Sequence, residues 1–469
     1  MMSRNARRIL PACVISAAIA AGLAVPGAAS AEFTLAQCEG GAIHGKGSSA
    51  QKLLQINIWN KQFNESANAK ACNGTQGSGG KPAVTYTSTG SGVGLESWGV
   101  ETKAGGEIRF GKENAFVGTE IAPNKKQSEE ITGHGAAGTL LTIPVAQPAI
   151  AILVHLPKGC EKVTGGSSPG RLAMKTATVE KIFQGTVTVW SQILNKAVMT
   201  GNSECAKSLQ KTLKITRVVR EDGSGTTDAF MKWLGVIFKN EVAPGEHWGQ
   251  LGEVANNTTW PNEGEHPVLR GSGGGGVVKK VAETPGSIGY ANVADARANT
   301  AFVPPAGGTE KAVFWAEVES HKVIEEGKSV SVYSDPSTNH ESATVADSNC
   351  LEEIYTNGKK KFPPPTTQEL WNEVIGAKTQ PNSYEICYIT FDLALTKYSA
   401  FTVGTSVSEP PTEEEARTVR DYLGYELSTG AGGGQEAAAG NDYAKLPTNE
   451  NPTLNVLKIA QEGVAKVGF

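Results

Sequence analysis

The chain has 469 residues, with 43 Lys+Arg against 47 Asp+Glu and a formal charge of −4. That balance argues against a nucleic-acid-binding protein, which needs a basic face. Its first 31 residues carry Arg4, Arg7 and Arg8, then an apolar stretch from Val14 to Val25 and an Ala29-Ser30-Ala31 cleavage pattern, the signature of a secretory signal peptide cleaved after Ala31. The apolar stretch is shorter than the roughly 20 residues a bilayer span requires, and no later run reaches that length, so a soluble, exported protein is expected. Cys13 precedes the stretch, out of place for lipid attachment. Loss of the three signal arginines takes the charge to −7. The roughly 440 residues that remain are too many for one typical core, so two lobes are expected.

In chain order, the turn His44-Gly45-Lys46-Gly47-Ser48-Ser49-Ala50 opens a helical run with Leu53, Leu54, Ile58 and Phe63 on one face. The strand-like AVTYTST leads into a second turn, Gly90-Ser91-Gly92-Val93-Gly94, and a helix over LESWG. PAIAILVHL (148–156) reads as a strand, with VEKIF and VWSQIL as helical pieces. A third turn follows the strand LKITRVV: Arg220 and Asp222 lead through Gly223, Ser224, Gly225 and Thr226 into the helix DAFMKWLGVIF. Residues 300–383 are more polar, broken by Pro363-Pro364-Pro365 before a capped helix in TTQELWNEVIG, and read as an elaboration on a lobe. The tail offers a low-complexity turn, GAGGGQEAAAG, and a final amphipathic segment, NVLKIAQEGVAKV. Strands alternating with helices argue an α/β architecture.

Six cysteines remain after the signal: Cys38, Cys72, Cys160, Cys205, Cys350 and Cys387. An even number in an exported chain points to disulfides, with sequential pairing the simplest connectivity and others open. No C-x-x-C, H-x-H or H-E-x-x-H spacing points to a metal, so neither metal nor cofactor is expected. Lone histidines such as His44 and His155 read as structural. GSGGGGVVKK (271–280) lacks the Gly-Lys-Ser/Thr ending of a nucleotide-binding loop. Gly166-Ser167-Ser168-Pro169-Gly170 matches G-x-S-x-G without the strand that a nucleophile elbow needs.

A single Gly/Ser turn before a helix is ordinary capping. Three of them, one with an arginine at a strand's carboxyl end, suggest an anion held by helix N-termini. Arg220 has planar paired donors suited to a tetrahedral oxyanion. Asp222 can accept from it and fix its rotamer, while Ser224 and Thr226 add hydroxyls and Gly225 lets backbone approach.

These motifs carry a resemblance. In order, GKGSSAQ, VTYTSTGSGVG, FVGTEIAP, VEKIFQGTVTVW, RVVREDGSGTTDAF, WPNEGE, TPGSIGYA and NDYAKLP resemble the phosphate-binding protein of the bacterial phosphate-specific ABC transporter, a periplasmic binding protein. The resemblance implies a two-lobed α/β fold, each lobe a mixed β-sheet flanked by helices, joined by hinge strands. One lobe would be residues 32–146 plus 388–469 and the other 147–387. It implies a monomeric, periplasmic or secreted protein that delivers inorganic phosphate to membrane permease subunits. By position, the ligand contacts would be Ser49, the Ala50 backbone N–H, Ser91, Glu120, Arg220, Ser224, Gly225 and Thr226, with Asp222 orienting Arg220. Two departures stand out: Ser49-Ala50 replaces the family's Thr-Phe, and Thr119-Glu120 its Ser-Asp. In the family that carboxylate accepts from a protonated phosphate oxygen and rejects sulfate, which has no proton to give. Glu385 also stands where the family has proline. A different tetrahedral oxyanion as ligand, or a secreted phosphatase or esterase, remains the alternative reading.

Overall fold

The computed structural model describes residues 40–64, 83–100, 114–132, 140–158, 160, 171–193, 213–252, 256–303, 312–325, 328–337, 354–356, 358–374, 384–399 and 412–469. In chain order their strands are β1 (Ile43–Gly47), β2 (Val84–Ser88), β3 (Phe116–Thr119), β4 (Leu140–Pro148), β5 (Ile150–His155), β6 (Ala173–Met174), β7 (Thr216–Arg220) and β8 (Val268–Gly271). They continue as β9 (Ser287–Asn292), β10 (Val313–Trp315), β11 (Glu317–Glu325), β12 (Lys328–Ser334), β13 (Ile354–Thr356), β14 (Lys359–Lys361), β15 (Thr390–Leu395) and β16 (Tyr443–Ala444).

While β12-β11-β6 and β13-β14 form two smaller sheets, two larger mixed sheets take eleven of these strands. The first runs β16-β4-β15-β3-β1-β2 and the second β10-β5-β9-β7-β8. In the first, β1 is parallel to β2 and β3, and β15 pairs antiparallel with β3 and β4. In the second, β7 is parallel to β8 and β9, and β5 is antiparallel to β9. Residues of β4, β5, β9 and β15 are almost all buried, as expected of strands covered on both faces by helices. Each sheet has its own aromatic cluster. Phe63 and Tyr422 meet edge-on at 5.2 Å over the first, and Phe183, Phe230 and Tyr290 pack at 4.7–5.7 Å over the second.

The chain crosses between the sheets at two neighbouring places. Ala149 lies between β4 and β5, and residues 386–389 precede β15. The crossings bond to each other through Ile150 N to Ile386 O at 2.8 Å and Tyr388 N to Pro148 O at 3.2 Å. Tyr384 adds a 2.6 Å bond from its hydroxyl to Ile150 O. The fold is thus α/β, in two lobes each built on one sheet and joined by hinge strands.

Several local readings need correction. The run after Ala50 is π-helical over Leu53–Trp59 and α-helical only over Asn60–Asn64. Its buried face includes Gln55 and Asn60, which bond to Glu426 and Tyr422, so polar partners as well as leucines set its winding. In VWSQIL only a 3₁₀ turn at Trp190–Gln192 forms. The glycine-rich tail contains a helix, Gly434–Ala439, because Gln435 plugs into the first sheet's backbone at Val145 O, 2.8 Å away. The polar 300–383 stretch serves both sheets. Its β10 extends the second, whereas the helix Gln368–Val374 docks on the first, with Asn372 bonding Ala122 O and Trp371 set edge-on to Phe391. Among the described residues no helix is long and apolar enough to cross a membrane.

Candidate functional site

The carboxyl ends of the parallel strands converge on one cleft between the sheets. β1 ends in Gly47 before Ser48 and Ser49, β2 is followed by Gly90 and Ser91, and β3 by Glu120. From the other sheet β7 ends in Arg220 and β8 in Gly271, each followed by a helix, Gly225–Ile237 and Gly273–Glu283. The helix N-termini supply unpaired N–H groups and partial positive charge to that space.

Glu120 is 2 % exposed and lies at the centre. Ser91 Oγ donates to its Oε2 at 2.5 Å, and Ser48 Oγ donates to its Oε1. Burial pushes the Glu120 carboxyl up to about 7, against the Ser91 hydrogen bond and the Arg220 charge. Arg220 is 1 % exposed and donates from Nε to Asp222 Oδ1 at 2.8 Å and from Nη2 to Asp222 Oδ2. Burial opposes its charge, but the Asp222 hydrogen bond and the charges of Asp222, Tyr290 and Glu120 hold its pKa above the ordinary arginine value. Asp222 Oδ1 also accepts from Gly273 N at 3.0 Å, tying the β7 turn to the next helix.

The cap of the Gly225–Ile237 helix is Ser224, whose side chain accepts from Thr227 N at 3.2 Å. Asn257 holds Ser224 by both backbone groups, accepting from its N at 2.9 Å and donating to its O at 2.8 Å. Thr226 Oγ1 lies 3.2 Å from Tyr388 OH. Gly90 adopts φ 95°, a left-handed conformation suited to glycine, and a Cβ there would come 2.5 Å from Asp222 Oδ2. Gly92 N reaches Gly223 O at 3.4 Å. Ser49 Oγ is buried without a hydrogen-bond partner, and Ala50 is buried with its carbonyl accepting from Tyr443 OH at 2.6 Å.

The nine residues singled out from the sequence therefore stand at the facing strand ends of the two sheets, with Ser49, Ala50, Ser91 and Glu120 on the first sheet's side and the others on the second's. Sequence reasoning missed Ser48, although it stands in the quoted first turn, as well as Asn257, Asn292, Tyr388 and Asp295. Asn292 directly follows the TPGSIGYA element, and Asp295 comes three residues later. His44 bonds Thr85 and Thr87 on the neighbouring strand, and His155 bonds Val281 O on the helix packed against its sheet. Cys160 and Cys387 are each disulfide-bonded. Cys38, Cys72, Cys205, Cys350 and residues 166–170 lie outside the described residues. Among the described residues no group of three or more His, Cys, Asp or Glu could hold a metal ion.

Glu120 is one of several buried carboxyls. Burial also raises Asp295 to about 6 and Asp392 to about 6, with Glu426 beside Asp392 raised further by that neighbour. Between the unfolded and folded pKa values the folded chain binds more protons, so this contribution to stability is full below about pH 4.5 and lost as pH rises through about 7. For Glu120 alone the loss is on the order of 3 kcal/mol. Thermal melts without ligand should therefore give a lower Tm at pH 7.5 than at pH 5. An unchanged or higher Tm would mean that Glu120 is ionised at little cost.

A sequence profile of the PBP superfamily domain matches residues 34–348. Among curated relatives, phosphate-binding protein PstS 3 of Mycobacterium leprae (strain TN) is 24% identical over 379 residues, 79% of this chain and 77% of that protein. Phosphate-binding protein PstS of Xylella fastidiosa (strain Temecula1 / ATCC 700964) is 27% identical over 216 residues, 46% of this chain and 47% of that protein. In fold, the chain is similar to a human phosphate binding apolipoprotein, with TM-score 0.55 and 16% identity over 91% of this chain and 93% of that one. It is also similar to the high affinity periplasmic phosphate-binding protein PfluDING, solved with phosphate, with TM-score 0.52 and 16% identity over 91% and 99%. Such low identities speak for the fold alone. With residues 34–348 matched by its profile, the chain belongs to the PBP superfamily.

Proposed function

We propose that this protein is an exported, monomeric receptor of the periplasm or extracellular space that closes two lobes around inorganic phosphate and delivers it to the permease subunits of an ABC transporter. The observation that carries this reading is the meeting of Glu120 and the Arg220–Asp222 pair, one from each sheet, in a buried cleft rimmed by helix N-termini. The relatives named as phosphate-binding proteins support the same ligand. The first lobe comprises residues 32–146 and 388–469, to which the docked 358–374 segment is added, and the second the rest of 147–387. The Ser49 and Ser224 hydroxyls and the backbone N–H groups of Ala50, Ser91, Gly225 and Thr226 give neutral hydrogen bonds to the anion, Arg220 its cation, and Asp222 the fixed rotamer; the Ser91 hydroxyl proton is already committed to Glu120.

Glu120 supplies selectivity. With Ser48 and Ser91 donating to its two oxygens, it accepts a further hydrogen bond from a protonated phosphate oxygen. Once ionised, above about pH 7, it faces sulfate as a buried acceptor in repulsion with an aprotic anion. Glu120→Gln should raise sulfate affinity by about 1–3 kcal/mol, roughly tenfold to a hundredfold, as read by competition binding. If sulfate stays excluded from the variant while phosphate still binds, Glu120 is not the selector.

A further inference from the structure

A third carboxylate, besides Glu120 and Asp222, reaches the same strand ends. Asp295 lies on the short helix Val293–Arg297, one turn beyond Asn292 at the end of β9. Its Oδ2 is buried without a hydrogen-bond partner and occupies space that a Cβ at Gly274 would need, with its Cγ 2.9 Å from that position. Asn292, beside it, gives the Asp295 carboxyl a side-chain hydrogen bond. Asn292 Oδ1 accepts from Tyr388 OH at 2.5 Å, and that hydroxyl contacts Thr226 Oγ1, so a polar chain runs from Thr226 to the neighbour of Asp295. Across the cleft Ser49 Oγ, also unpaired, faces Gly273, whose Cβ position is 3.7 Å from Ser49 Cβ. Two unsatisfied polar atoms, Asp295 Oδ2 and Ser49 Oγ, thus border the Gly273–Gly274 backbone, and buried polar groups left so are costly unless a ligand pairs them.

We infer that Asp295 is a second ligand-facing carboxylate, and that with Glu120 it makes the site take phosphate with one proton more than the dianion carries. This rests on the phosphate reading above. The single O–H of HPO4 2− satisfies one acceptor, Glu120. A second acceptor needs a second proton, brought as H2PO4− or taken up by Asp295 itself, so the overall step is protein plus HPO4 2− plus H+ giving the complex. The charges facing Asp295 are Arg220 and Lys52, which favour its ionised form, and Glu120, whose carboxyl its own charge pushes up. Tyr388 and Tyr443, also raised by Asp295, complete its surroundings. With Glu120, Asp295 and Asp222 ionised against Arg220, the cleft is net negative and repels a dianion.

The test is calorimetric titration with inorganic phosphate from pH 6 to 9 for the wild type and for Asp295→Asn, with Asp295→Ser as a second variant of different shape. The wild-type Kd should rise about tenfold per pH unit above neutrality, the slope of one-proton linkage, while both variants give nearly flat profiles in that range. Parallel profiles for all three proteins would overturn the inference and leave Asp295 a packing residue. Absence of phosphate binding by the wild type at every pH is a different result, and would remove the phosphate reading on which the inference rests.

Discussion

Arg220→Ala is expected to weaken phosphate binding by about 2–5 kcal/mol, the range for truncating one member of a buried, hydrogen-bonded charge pair. Two effects combine. The ligand loses the one cation placed among the proposed contacts, and Asp222 loses the partner that neutralises it next to an incoming anion. The residue is 1 % exposed, so solvent screens neither effect. Arg420, about a third exposed on the Glu413–Glu426 helix, is a suitable control, because its alanine variant should bind as the wild type does. Calorimetry decides the matter: equal affinity for Arg220→Ala and wild type would remove Arg220 from the site.

Gly225→Ala should abolish tight binding through closure, leaving the contacts themselves in place. A Cβ at Gly225 would lie 2.5 Å from Glu120 Oε2 and 3.0 Å from Ser91 Oγ, and would press on Glu120 Cβ. All three obstacles belong to the first sheet's side, whereas Gly225 opens a helix of the second. Within that helix alanine is the better former by about 1 kcal/mol, so the second lobe itself should not suffer. Overpacking of this kind costs about 1–3 kcal/mol and sometimes more, and here it falls on the approach of the two lobes. The expected signature is phosphate affinity down by tenfold to more than a hundredfold with Tm of the ligand-free protein unchanged or raised. A variant that binds as tightly as the wild type would show that closure does not bring Gly225 against Glu120.

The strand-end turns were legible in the sequence because their requirements are local. Small residues, a cap and a strand before them are all visible within a few positions, and so Ser49, Ser91, Arg220, Ser224 and Thr226 could be picked out together. What stayed hidden depends on distant partners. Tyr388 meets Thr226 across 162 positions, at the second crossing between the sheets, and nothing local marks it as part of the cleft. Ser48 is not marked by the turn, where two adjacent serines offer the same hydroxyl, yet it is Ser48 that holds Glu120 across 72 positions. Asp295 was hidden for another reason: its significance comes from Gly274, whose missing side chain leaves the space its carboxylate enters. The tail helix Gly434–Ala439 shows tertiary contact overriding composition. Gln435 bonds Val145 O and Glu426 O, and these contacts order a glycine-rich segment that reads as a turn.

The central claim is that a buried Glu120 and Arg220, meeting across two lobes, form a site for a protonated tetrahedral oxyanion. The most direct measurement is a pair of calorimetric titrations of the purified, ligand-free protein at about pH 8, where Glu120 is ionised, one with phosphate and one with sulfate. The account predicts tight binding of one phosphate per chain and no measurable heat from sulfate at the same concentrations. Equal binding of both anions, or binding of neither, would contradict it.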